Sequence, residues 1–373
     1  MFNPVITGTG VFTPDQIITN DELVEAFNAY ADLMNLKNAT AITAGDAVPI
    51  EHSSSDFIFK ASGIEQRFVI DKTGVLNPEV MHPLFPERAD NDISLMAEMA
   101  LVSCKKALEQ SGVTAEAVDL VICAASNMER SYPAVAIEIQ EALGAGGFSF
   151  DMNVACSSAT FGIQAAADMV RTGSVKKAIV VNPEICSAHL EWRDRDCHFI
   201  FGDVSTATVI EREEDVKGDY FEILSTRCAT QFSNNIRNNN GYLRRSRPYG
   251  LEDRRDMQFM QNGRKVFKEV LPMVSGHILK HMADEGVSKD DLRRIWLHQA
   301  NKSMNDFIGR KVLGRTPEPG EQPNILQDYA NTSSAGSIIA FSQNSADLNP
   351  GDHGLICSFG AGYSVGSILV RKH

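Results

Sequence analysis

Cys156 stands in Asn153-Val154-Ala155-Cys156-Ser157-Ser158-Ala159, among small residues and just before a run with helical apolar spacing. That places a thiol at a strand-to-helix turn. The orphan N–H groups and partial positive charge of a helix start favour a thiolate, the nucleophilic form. The same residues also describe a buried structural cysteine, the common fate of a free thiol. His298 opens His298-Gln299-Ala300-Asn301, directly after the strand-like Ile295-Trp296-Leu297. Histidines at strand ends of parallel α/β folds project into the functional crevice, although one His among nine is more often a surface or hydrogen-bonded residue. Asn331 opens Asn331-Thr332-Ser333-Ser334-Ala335-Gly336, where an N-cap role is the plain alternative. Phe359-Gly360-Ala361-Gly362 is glycine-rich and, alone, reads as a turn.

These residues need elements to bring them together. Apolar runs of strand length lie at Pro4–Val11, Val118–Ala124, Ala178–Val181, Ala207–Ile210, Ile295–Leu297, Gly354–Ser358 and Ser367–Val370. They do not alternate, which suits strands buried on both faces. Helical spacing runs through Ile93–Gln110, Ala159–Arg171 and Val266–His281, the first two stopping at Gly112 and Gly173. Strands alternating with helices predict an α/β fold with a mainly parallel sheet. Asn234–Gly250 and Thr316–Gln322 read as loops, and Lys72–Asn91, with three prolines, as a surface cap.

A weak repeat runs through this order. Asn127 follows one strand-like run and Cys156 comes 29 residues later; Asn301 follows another and Asn331 comes 30 residues later. Phe201-Gly202-Asp203 and Phe359-Gly360-Ala361-Gly362 each precede a further strand. The reading is two similar halves, 1–212 and 213–373, whose matching positions meet at one crevice.

Composition sets the outer bounds. The 373 residues are 43% hydrophobic and 22% charged, ordinary globular values. A net charge of −13 argues against a nucleic-acid binder. The uncharged stretch Met152–Ala167, which also holds Asn, Ser, Thr and Gln, is below the ~18 residues of a membrane span. No signal peptide is expected from Met1-Phe2-Asn3-Pro4. Seven scattered cysteines without a Cys-x-x-Cys pair suit a reduced cytoplasm rather than a disulfide framework or zinc ribbon.

Taken together, Ala155-Cys156-Ser157-Ser158, His298-Gln299-Ala300-Asn301, Asn331-Thr332-Ser333-Ser334-Ala335 and Phe359-Gly360-Ala361-Gly362 resemble the active-site segments of β-ketoacyl-[acyl carrier protein] synthase III, the FabH-type condensing enzymes. Thiolases use a second Cys and chain-elongating synthases two His, where this chain has His298 and Asn331. The resemblance implies a thiolase fold: two βαβαβαββ halves in a five-layer α/β/α/β/α core, working as a homodimer. It implies that Cys156 takes an acyl group from acyl-CoA, with the backbone N–H groups of Cys156 and Ala361 as oxyanion hole. Malonyl-acyl carrier protein is then decarboxylated, with His298 and Asn331 holding the enolate oxygen. No metal or redox cofactor is expected.

Further positions follow from the same resemblance. Phe57, Ala61 and Arg195 correspond to the residues that clamp the CoA adenine, with Arg195 retained and Phe57 and Ala61 departing from the family's usual types. Tyr132 corresponds to a residue that reaches the partner's acyl pocket; the alternative is a loop aromatic packed on its own core. Phe267, Gly360 and Gly362 line the substrate path. Ala361 stands where a glycine is usual, which would cost on the order of 1 kcal/mol if that position needs positive φ. Nine Lys/Arg against three Asp/Glu between Arg237 and Lys268 make a basic patch suited to an acidic carrier protein. Arg264, Lys268 and Lys302 are docking candidates, Lys302 standing beside Ser303, where the family has a basic residue. Extra length in Ala26–Glu51 and Gly74–Asn91 near the entrance points to a medium-chain primer. The competing readings are a same-fold condensing enzyme making a quinolone, polyketide or long-chain ketone, and a non-catalytic acyl-binding partner. Cys156→Ser is expected to abolish acyl-enzyme formation while replacements of Cys104, Cys123 or Cys357 leave it intact; intact-protein mass spectrometry after acyl-CoA treatment reads the adduct.

Overall fold

In the computed structural model, residues 1–239 and 254–373 are described. Nine strands make one mixed sheet: β1 (Pro4–Phe12), β2 (Leu120–Ala124), β3 (Phe148–Met152), β4 (Lys177–Glu184), β5 (Val204–Arg212), β6 (Phe221–Ser233), β7 (Leu292–Leu297), β8 (His353–Gly360) and β9 (Gly362–Lys372). Their spatial order is β7-β8-β9-β6-β1-β5-β4-β2-β3. The short β1–β6 pairing, Val5 with Glu222 and Ile6 with Phe221, joins the two sides.

The parallel-sheet expectation is corrected. Only β2–β3, β2–β4 and β7–β8 pair parallel; the other five neighbours are antiparallel. The reason is local: β8 and β9 are joined through Ala361 alone, too short for a parallel crossover. Two strands escaped the sequence reading. β3 is half exposed and polar, and β6 loses its apolar character beyond Leu224.

The strands are apolar on both faces because both faces are covered. On β2, Leu120, Ile122 and Ala124 meet a central cluster, whereas Val121 and Cys123 meet an outer one. The outer cluster is built with α3 (Leu95–Ser111) and α4 (Val135–Leu143). The central cluster holds α5 (Ser158–Thr172) and α8 (Gly336–Gln343), with Trp296, Ile356 and Ile368 closing it from the other side. Beyond those strands, Ile295, Leu297 and Leu355 face a second outer layer, α6 (Gly263–Asp284) and α7 (Lys302–Leu313). Helices, one half of the sheet, helices, the other half of the sheet and helices again make the expected five-layer thiolase fold. Predicted helices sit within a few residues of α3, α5 and α6, and Gly112 and Gly173 cap the first two at φ +70° and +83°.

The N-terminal segments outside the sheet form a satellite layer. Helices α1 (Asn20–Lys37), started by a Thr19–Glu22 capping box, and α2 (Ser55–Ser62) pack with Trp192, Phe199 and Phe201. Lys72–Asn91 is without helix or strand, as expected, but buries Val75 and Met81 in that layer. No helix among the described residues is long and apolar enough to cross a membrane.

Trp296 is fully buried, 4.9 Å edge-on to Phe341, with Nε1–H donating to the Asn344 carbonyl at 2.9 Å. Trp296→Ala removes that packing from the central layer. The expected loss of stability is about 3–5 kcal/mol, read by denaturant titration.

Candidate active site

The turn before α5 is held by its own side chains. Ala155 takes φ +48°, a costly conformation for a residue with a Cβ. Its N–H donates to Asn153 Oδ1 at 3.0 Å. Ser158 Oγ accepts from Val154 N–H at 2.9 Å and donates to the Ala155 carbonyl at 2.7 Å. Cys156 is thereby thrust out of the turn just before the helix. A Cβ added to Gly360 would lie 2.6 Å from Cys156 Cβ, so only glycine permits this approach of β8.

His298 follows β7, its N–H donating to the Cys357 carbonyl at 2.7 Å and its ring edge-on to Phe359 at 5.1 Å. The Asn331 backbone is pinned beside Phe201 by hydrogen bonds with Ile200 and Gly202. Asn331 Oδ1 accepts from Ser333 N–H at 2.9 Å, which leaves its Nδ2 hydrogens for another acceptor. The capping alternative is thus partly realised: the side chain closes a tight turn and does not cap α8.

Cys156, His298, Asn331, Phe359 and Gly360 line one cavity of about 480 Å³. Ser333 ties its polar groups together, a residue the sequence reading passed over. At φ +51°, it donates its hydroxyl to Cys156 Sγ at 3.4 Å and bonds His298 through its backbone. The polar neighbour of a catalytic-looking Asn, two residues on, was the only available signal.

Burial governs the electrostatics. It pushes the Cys156 thiol up to about 11, with hydrogen bonds from Ser333 and from the N–H groups of Ala361 and Cys156 opposing and the nearby Glu184 carboxylate adding to the rise. In the free protein, loss of hydration outweighs these donors. The N–H groups of Ala361 and Cys156 both lie on the sulfur's side of the turn. Burial also lowers His298 to about 4, with the Ser333 backbone bond opposing, so the imidazole is neutral through physiological pH. A depressed histidine pKa means that the charged form is disfavoured until the pH falls toward that value.

The other sequence-predicted residues divide. Phe57, Ala61, Arg264 and Phe267 line the same cavity. Arg195 lies over the Phe57 ring at 4.3 Å, and its Nε–H donates to the His52 carbonyl at 2.8 Å. Ala361 is not among the positive-φ residues, so the strain considered for it does not arise; Gly362 takes φ +136° instead, and is exposed away from the cavity. Tyr132 is 85% exposed, which overturns packing on its own core. Lys268 is exposed and outside the cavity lining, and Lys302 pairs with Asp306 at 2.8 Å. Arg244, Arg245 and Arg247 of the basic patch lie outside the described residues.

Comparison with known proteins bears on this geometry. The family model described as 3-oxoacyl-[acyl-carrier-protein] synthase III matches residues 150–231, and the model of its C-terminal part matches 282–372. The chain is 51% identical to a β-ketodecanoyl-[acyl-carrier-protein] synthase of Pseudomonas aeruginosa, over 94% of this chain and 100% of that protein. It is 28% identical to a β-ketoacyl-[acyl-carrier-protein] synthase III of Erythrobacter litoralis, over the whole of both. The 3-oxoacyl-[acyl-carrier-protein] synthase III structure from Aquifex aeolicus superimposes with a TM-score of 0.77 at 24% identity, covering 99% of each chain.

A division of labour is expected within the cavity. His298→Ala or Asn331→Ala should slow malonyl decarboxylation by about 10²–10³, the usual effect of deleting one oxyanion donor, and acylation of Cys156 far less. Rates of CO₂ release and of acyl-enzyme formation, measured separately, check this.

Proposed function

Because the chain belongs to the 3-oxoacyl-[acyl-carrier-protein] synthase III family, a condensing acyltransferase of fatty acid synthesis, we propose the following course for its reaction. Cys156 attacks an acyl-CoA thioester; the acyl group forms a bond to Sγ, CoA leaves, and the thiol proton departs with it. The N–H groups of Cys156 and Ala361 stabilise the oxyanion of that step. Malonyl-acyl carrier protein enters next. Its carboxylate leaves as CO₂, and the bonding pair becomes an enolate whose oxygen is held by His298 and Asn331. The enolate carbon attacks the acyl-Cys156 carbonyl, the sulfur leaves as thiolate and regains a proton, and 3-oxoacyl-acyl carrier protein is released. Neither step calls for a metal or redox cofactor. The observation that carries this reading is the single cavity where Cys156, neutral His298 and the free amide end of Asn331 meet. Residues 1–212 would supply the nucleophile and 213–373 the enolate donors, as two similar halves.

The entrance supports acyl-CoA as primer donor. Arg195 and Phe57 stack on each other, a cation–π pair that an aromatic base could enter once they part. On the opposite wall, Arg264 and Lys265 occupy the first turn of α6 with no acidic residue there. Cations at a helix start oppose the helix dipole, by about 0.3–1 kcal/mol each. An external anion offsets that cost, and exposed Lys268 extends the same surface. On a chain of net charge −13, this is where an acidic carrier protein would dock.

Exposed Tyr132, Ile137 and Phe148 lie along β3 and the segment before it, at the open edge of the sheet. An unpaired edge with apolar neighbours invites a second copy, so we assign the homodimer interface here, with Tyr132 approaching the partner's acyl pocket. Seven free thiols suit a reducing cytoplasm.

A medium-chain primer completes the proposal. The Pseudomonas relative is named for a ten-carbon product. Malonyl adds two of those carbons, leaving eight for the primer. Phe201, Phe259, Val266, Val270 and Met304 give the cavity apolar walls, and each buried CH₂ adds up to ~0.8 kcal/mol. Acylation rates from acetyl-CoA to lauroyl-CoA should peak at about six to ten carbons. A maximum at acetyl-CoA would sink the primer assignment, and a monomer in sedimentation would sink the dimer.

A further inference from the structure

Glu184 ends β4 behind the cavity and is 1% exposed. Four donors converge on its carboxylate. Ser126 supplies its N–H at 3.0 Å and its hydroxyl at 2.5 Å; Ser334 supplies its N–H at 3.2 Å and its hydroxyl. Among the described residues it forms no ion pair. A buried carboxylate without a cation is costly, and its desolvation pushes it up to about 7 while the four donors pull it down.

Both ends of this network reach the reacting groups. Ser334 adjoins Ser333, which touches the Cys156 sulfur and fixes the Asn331 amide. On the other side, the Ser126 carbonyl accepts from Asn153 Nδ2 at 2.9 Å, and Asn153 Oδ1 in turn holds the N–H of Ala155, next to Cys156. One carboxylate therefore joins the turn that presents the nucleophile to the turn that presents the enolate donors.

We propose that Glu184 is a positioning residue of the condensation site, clamping the Ser126 and Ser333–Ser334 turns so that the acyl group on the thiol and the enolate held by the Asn331 amide meet. This rests on the condensing reaction proposed above. Glu184 also acts on the thiol through space, since its charge adds to the rise of the Cys156 pKa. The other ionisable groups it faces are the buried thiols of Cys186, 3.9 Å away on its own segment, and Cys123 on β2, both pushed up by burial. Asp203, across Cys186, is raised to about 6 by burial, with the N–H and hydroxyl of Ser187 opposing.

Glu184→Gln keeps the volume but loses the charge and places N–H groups against serine donors. The expected result is a kcat for condensation down by about 10- to 100-fold, as for misplaced reacting groups, with KM for acyl-CoA within about twofold. Alkylation of Cys156 by iodoacetamide, followed against pH, should titrate lower than in the wild type. That second readout needs neither acyl-CoA nor malonyl thioester. Failure of the proposed reaction would therefore show as a wild type without turnover, while the thiol titration still reports on Glu184. A folded variant with wild-type kcat overturns the proposal. So does a fall in kcat with an unshifted thiol titration, which would make the carboxylate only structural. Should Glu184→Gln not fold, Ser334→Ala removes one hydroxyl and keeps the charge: reduced kcat at unchanged KM supports the clamp, and wild-type turnover overturns it.

Discussion

Everything in the site depends on a cysteine and a backbone strand packed closer than two side chains could be. Gly360 leaves room for Cys156 and nothing more. The contact fixes the sulfur where the N–H of Ala361 and its own N–H can both reach it. Ser364 reinforces the seam, its Oγ 2.9 Å from Ser157 Oγ and 2.8 Å from the Ala361 carbonyl. The Cys156 turn and the β8–β9 hairpin are thus tied together, and the layers around them bury the greater part of the sulfur's surroundings, Cys156 itself staying open to the cavity. Preorganised donors in a dry place act more strongly than they would in water, without reorganising during reaction.

Dryness has a cost that shapes the chemistry. It keeps the thiol protonated near neutral pH and the histidine uncharged. A neutral imidazole suits an oxyanion donor, which must offer a hydrogen bond without surrendering its proton. A neutral thiol is a resting state, to be ionised as substrate brings its carbonyl to the oxyanion donors. Strain accompanies this arrangement: Ala155, Ala330 and Ser333 all take positive φ beside the cavity. Backbone strain concentrated at one place is paid for by the surrounding packing and commonly marks function.

The entrance is assembled differently from the floor. His198 stacks on Phe27 of the N-terminal satellite layer at 4.5 Å, and its Nδ1 lies 3.0 Å from the Arg195 carbonyl. The helix at Asn20–Lys37, which carries Phe27, is thereby coupled to the Arg195 loop that borders the cavity. Asp194, from the same loop, pairs with Arg255 at 3.0 Å across the opening. Segments distant in sequence meet at the mouth, whereas the floor is built from short, glycine- and serine-rich turns.

The sequence alone determined the elements with strong local signatures and the chemistry written in contiguous motifs. Gly112 and Gly173 announced helix ends because positive φ is cheap only for glycine. The runs at β2, β4 and β8 announced burial on both faces because they lack alternation. Cys156, His298 and Asn331 were legible because each heads a distinctive string of small polar residues. Tertiary structure decided what depends on neighbours far along the chain. The sheet is mostly antiparallel since strand direction follows from connections rather than composition. The half-polar β3 and β6 gain strand character only from their partners. Ser333 and Glu184 carry no signature of their own; their roles come from contacts spanning 177 and 150 residues. The thiol's raised pKa has the same origin. A helix start next to Cys156 can be read locally, but the layers that strip its water cannot, and desolvation outweighed the local donors.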